Sequence, residues 1–110
     1  MTAATGRALV TAAAASYTAN CALGLAVATR VFPATRGAWL HHVLYVCTCV
    51  STALAIGHGV ARHGRGRLLL GALPSLAAIP YVSSRRSVHV ATAVTAAPAY
   101  VAATLATWRD

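Results

Sequence analysis

Carboxylates are all but missing from this chain: among 110 residues the one acidic side chain is Asp110. Without Asp or Glu upstream of it, there is no acid/base pair, no acid to orient a histidine, and no carboxylate cage for a hard cation. Lysine is absent, and aromatic residues make up only 6% of the chain, too few to interleave with basic groups and stack bases. Charged residues total 9%, whereas a soluble domain is roughly a quarter charged, so a water-facing surface could not be covered. The three cysteines, Cys21, Cys47 and Cys49, are odd in number and sit inside apolar runs. They form no disulfide framework and read as small packing residues. Neither a Gly-x-Ser-x-Gly elbow nor a phosphate-cradling loop is present. The expectation is a protein that is not an enzyme, carries no cofactor and binds no nucleic acid.

What the chain does have is hydrocarbon. Hydrophobic residues make up 58% of it and its mean hydropathy is +0.66, a composition that makes sense with lipid as the solvent. Four apolar segments can be drawn, at about 8–29, 38–61, 68–82 and 87–107, as a single transmembrane domain over 1–110. The first covers roughly 33 Å as an α-helix, and the second and fourth also suffice for a hydrocarbon core of about 30 Å. The third covers only about 22 Å as an α-helix and carries Pro74 and Pro80, yet the short loops on both sides favour a crossing. Pro33 and Gly37, Gly64 and Gly66, and a tight turn over 83–86 punctuate the connections. Trp39, Tyr81 and Trp108 fall at span ends, at headgroup level. The fold class expected is an all-α integral membrane four-helix bundle, up-down in topology, with a short third helix.

The net charge of +8 comes from nine arginines, clustered between apolar runs as in membrane proteins rather than spread over a basic face. Anionic lipid headgroups are their natural partners. Arg7, Arg62, Arg65, Arg67 and Arg109 share one side; Arg30, Arg36, Arg85 and Arg86 share the other. That excess of one arginine favours both termini inside. The first segment reads as a retained span, being longer than the apolar core of a cleaved leader.

Three patterns are candidates for function. The first is a set of small residues recurring every fourth position, which lie on one helix face. Ala8, Ala12, Ser16, Asn20, Gly24 and Ala28 form one such stripe. Cys47, Ser51, Ala55 and Gly59 form a second, and Ser87, Ala91, Thr95, Ala99, Ala103 and Thr107 a third. Small faces let helices approach closely where lipid supplies no hydrophobic drive. Asn20, near mid-membrane, should turn inward toward a partner. The second pattern is histidine. His41 and His42 start one span and His89 another on the same side, so His42 and His89 are candidate ligands for a metal or haem. His42 and His58 lie about 24 Å apart and roughly 160° around the helix, which excludes two haems stacked on one neighbour, and water-facing interfacial histidines are the ordinary reading. The third is the thiols, but Cys47 and Cys49 stand about 200° apart around the axis and cannot share one soft ion.

The size and four-span layout resemble those of the small multidrug resistance exporters, which depend on a glutamate in the first span. Here the first span has no acid, so the resemblance is architectural and does not imply proton-coupled export. The stretch from His41-His42-Val43-Leu44 through Gly59 and His63 is similar to a family of small mercury-uptake membrane proteins. That family's cysteine pair in the first span is absent, since Cys21 stands alone.

The sequence thus points to a multi-pass protein of the cell membrane acting by helix packing, as an accessory subunit of a larger membrane complex or as a homo-oligomer in the lipid bilayer. Ser16, Asn20, Gly24, Ser51, Ala55, Gly59, Thr95, Ala99 and Ala103 are its expected contact residues. The alternative is a minimal dimeric transporter or channel for a small solute or soft metal ion.

Overall fold

The computed structural model describes residues 3–81 and 86–109. Its helices are α1 (Ala3–Ala28), α2 (Ala34–Arg62), α3 (Leu73–Ala78), α4 (Arg86–Val94) and α5 (Ala97–Arg109), with 3₁₀ turns at Arg65–Ala72 and Ile79–Tyr81. No strand occurs among the described residues. The chain is an all-α bundle about 41 Å long and 21 × 20 Å across, and three stretches are long and apolar enough to cross a membrane: Ala4–Val27, Trp39–Arg62 and Val90–Arg109. Helix is the expected outcome in hydrocarbon, where each backbone N–H and C=O must be satisfied within its own segment.

The core is made of Val10, Ala13, Ala55, Ile56, Leu69, Ala72, Ala96, Tyr100 and Ala103. The larger side chains Leu25, Trp39, Val43, Val46, Val50, Leu54, Val101 and Leu105 are exposed. In water this arrangement would leave a very large apolar surface wet; in a bilayer it puts these side chains against acyl chains, while five alanines and four larger residues pack between helices.

The third segment is not among these three stretches, and it lengthens by changing its winding. Over Arg65–Ala72 it is a 3₁₀ helix, which rises about 2.0 Å per residue against 1.5 Å for an α-helix. Residues 65–81 therefore reach about 31 Å, near the hydrocarbon thickness, where a pure α-helix would reach about 26 Å. The same winding explains the burial of Gly66, Leu69 and Ala72, because residues three apart eclipse on one face of a 3₁₀ helix; Ser75, in α3, continues that face. The segment thus starts three residues earlier than 68–82 suggests.

The fourth segment also differs from the unbroken helix expected over 87–107. It is interrupted at Thr95–Ala96 between α4 and α5. Pro98 explains the interruption: it has no N–H to offer the Val94 carbonyl, and it disfavours α geometry at Ala97. The tight turn expected over 83–86 falls largely on residues 82–85, outside the described residues.

The described connections end in left-handed residues that are not glycine. Arg30 (φ 63°) and His63 (φ 55°) take that conformation. Beside them Val31 N–H bonds Ala26 O at 2.9 Å, and Gly64 N–H bonds Gly59 O at 2.8 Å, closing the final turns of α1 and α2. The glycines serve close approach instead. A Cβ on Gly66 would collide with the Ala55 carbonyl oxygen. One on Gly59 would meet the Arg67 amide nitrogen, and the Gly66 carbonyl carbon at 2.8 Å. Here α2 and the third segment touch backbone to backbone.

Candidate functional site

Away from that glycine contact, the bundle opens. A cavity of about 380 Å³ lies between Tyr17, Asn20, Cys21, Gly24 and Leu25 of α1 and His41, Tyr45 and Thr48 of α2. Its other walls are Leu76 and Ile79 of the third segment and Val90, Ala93 and Val94 of α4. Among the described residues, no arginine or carboxylate lines it.

Proline chemistry shapes these walls. Pro80 has no N–H for the Leu76 carbonyl four residues back, and the Tyr45 hydroxyl donates to that carbonyl at 2.5 Å. At the break in the fourth segment the Ala93 carbonyl accepts from Ala96 N–H at 3.2 Å and from the Tyr17 hydroxyl at 2.7 Å. Pro74 likewise cannot serve Leu70 O, which instead accepts the Leu73 N–H in a 3₁₀ turn. Carbonyls at the helix breaks are re-satisfied either within their own turn, as at Leu70, or from a neighbouring helix, as at Leu76, as hydrocarbon demands. Because the donors are phenols, the facing segments stand a tyrosine's length apart, and the cavity is the space left.

The polar wall is fixed in turn. The Tyr17 ring stacks on Tyr100, centroids 4.3 Å apart, and the Tyr100 hydroxyl pairs with Thr52 Oγ1 at 2.8 Å. Ser75 Oγ and Thr95 Oγ1 pair at 2.6 Å, tying the third segment to the break. Thr48 donates to Leu44 O at 2.7 Å. Asn20 differs from all of these: its Oδ1 is buried and has no hydrogen-bond partner.

The sequence-derived contact residues fall into two groups. Ala55, Gly59 and Ala103 are buried, while Ser16, Asn20, Gly24, Ser51 and Ala99 are half-buried and Thr95 is exposed. Ala8, Ala12, Cys47 and Ala91, earlier in the same stripes, are exposed. The reason is geometric: a step of four residues advances about 40°, so five steps drift about 200° around a straight helix. The buried face of α1 instead runs through Val10 and Ala13 to the half-buried Tyr17, in steps of three and four. Asn20 and Gly24 rejoin the inner face at the cavity.

The described histidines lie apart. His41 lines the cavity, His42 and His63 are exposed, and the side chain of His89 lies outside the described residues. A Cβ on Gly6 would lie 3.2 Å from the His58 ring, whose Nε2 is buried without a hydrogen bond. The cysteines are free. Among the described residues, no group of three His, Cys, Asp or Glu is placed to hold a metal ion.

At the opposite end from the cavity, the Arg7 guanidinium sits 4.7 Å over the Trp108 ring, and the Trp108 indole N–H donates to Thr11 Oγ1 at 3.0 Å. This clasp joins the start of α1 to the end of α5 on the side shared with the loop after α2.

Fold and site together define a small multi-pass α-helical membrane protein with a cavity inside its bundle. Comparison with family models, curated proteins and solved structures finds no match.

Proposed function

We propose that this chain is a protein of the cell membrane that binds a small molecule in its intramembrane cavity, the minimal-transporter reading rather than the accessory-subunit one. The observation that carries it is the cavity between four segments with Asn20 in its wall, the amide oxygen of that residue being buried and unpaired. Pockets that hold small ligands are typically apolar, preformed and provided with a few polar groups. A polar group kept inside a membrane is costly and marks function by default.

The packing reading loses ground because small residues meet inside the chain. Ala55, Gly59, Gly66 and Ala103 contact neighbours within the bundle, and the outer face of α2 presents Trp39, Val43, Val46, Val50 and Leu54. A partner subunit would meet large side chains that serve lipid equally well.

The test is extraction. Protein purified from its native membrane in mild detergent should release, on denaturation, a non-lipid small molecule that Gly24→Leu protein lacks. A Cβ at Gly24 meets nothing within 4 Å, so a leucine there fills the cavity. The reading fails if wild type and Gly24→Leu release the same compounds.

A further inference from the structure

We infer that the cavity takes a neutral molecule with an apolar body and a hydroxyl or amide group, and that Asn20 recognises that group. The inference rests on the cavity being a binding site and names the chemistry it selects.

Three observations converge on it. The first is hydrogen-bond supply. The Tyr17, Tyr45 and Thr48 hydroxyls at the wall already donate to Ala93 O, Leu76 O and Leu44 O, and His41 has its own interaction. Asn20 Oδ1 has none. Such an unpaired group away from water is costly, and because Oδ1 is sealed from the cavity as it stands, the carboxamide must turn before a donor in the cavity can pair it. Rotation about the Cβ–Cγ bond is soft, so the carboxamide can turn either its oxygen or its NH₂ to the cavity. A hydroxyl, which both donates and accepts, matches either face.

The second observation is charge. A bound cation would need a carboxylate, and Asp110 is the only one in the chain. A bound anion would need arginine, and none lines the cavity among the described residues. An unpaired ion there would carry an uncompensated desolvation cost. Neutral molecules avoid it. The third is size: about 380 Å³ lies in the range of small-ligand pockets, with Leu25, Leu76, Ile79, Val90 and Val94 to cover an apolar body.

The experiment compares naphthalene, 1-naphthol, 1-methoxynaphthalene and 1-naphthylmethylammonium by equilibrium dialysis against the full chain in nanodiscs, with empty nanodiscs as the baseline. Wild type should bind 1-naphthol about tenfold more tightly than its methyl ether, the size of one hydrogen bond, and should bind the ammonium no better than the ether. Asn20→Leu and Asn20→Ala should bind naphthalene still, which reports a folded cavity, while 1-naphthol loses its advantage. Equal binding of naphthol and ether by wild type, or a preference for the ammonium, overturns the inference and leaves the cavity a binding site. An advantage for naphthol that survives in both variants overturns Asn20's role. No saturable binding by any of the four overturns the inference and the binding reading together.

Discussion

The two halves of the bundle are held together by opposite means. Around Gly59 and Gly66, backbones touch and any added carbon collides with main-chain atoms. Around Asn20, phenols bridge the gap: Tyr17 to the α4 backbone and Tyr45 to the α3 backbone, with a cavity between. The contrast shows how a chain this poor in charge builds both a rigid contact and a site. Glycine removes side chains so that helices close. At Leu76 proline removes an N–H so that a distant tyrosine is recruited, and helices joined through tyrosines cannot close.

Breaking the tight half should have the largest effect. Gly66→Leu places four carbons against the Ala55 carbonyl, where the obstacle is backbone. Overpacking typically costs about 1–3 kcal/mol and exceeds that where nothing can yield. The variant should lose its monodisperse peak in size-exclusion chromatography, and wild-type behaviour would show that the contact is dispensable.

Breaking a bridge in the open half should cost less. Tyr45→Phe strands the Leu76 carbonyl, and hydrogen bonds between membrane helices are worth about 0.6 kcal/mol on average, up to about 1.7. Loss near the upper figure is expected, read as a shift in the denaturant unfolding midpoint. Pro80→Ala sharpens the comparison because residue 80 would then supply its own N–H to Leu76 O. In that background Tyr45→Phe should cost clearly less, and an undiminished cost would sever the link between the proline and the tyrosine.

The smallest effect belongs to the terminal clasp. Arg7→Gln removes the cation over the Trp108 ring, worth roughly 0.5–1 kcal/mol at such exposed sites. Its unfolding midpoint should shift slightly, and ligand retention should be unchanged.

The sequence made some of this legible and hid the rest for identifiable reasons. The spans and bundle class follow from long apolar runs that few folds can accommodate in water. The inward placement of Asn20 follows from the cost of an amide facing lipid, and Gly59 from its place on a small-residue face. The third segment hid its winding because 3₁₀ and α-helices share composition; the clue was small or apolar residues at spacing three, Gly66, Leu69, Ala72 and Ser75. The break at Thr95 was announced by Pro98, one proline in an otherwise continuous apolar run. The cavity was not legible, because it depends on which distant carbonyls Tyr17 and Tyr45 reach, and hydrophobic periodicity does not encode a pairing 31 or 76 residues away.

The two-halves account meets its most direct test in one side-by-side measurement, the thermal unfolding midpoints of Gly59→Leu and Gly24→Leu in the same detergent. Gly59→Leu should fall by an amount equivalent to about 3 kcal/mol or more, while Gly24→Leu, which adds its side chain to open space, should unfold within experimental error of wild type. Comparable losses in both variants would contradict the division of the bundle into a closed half and an open one.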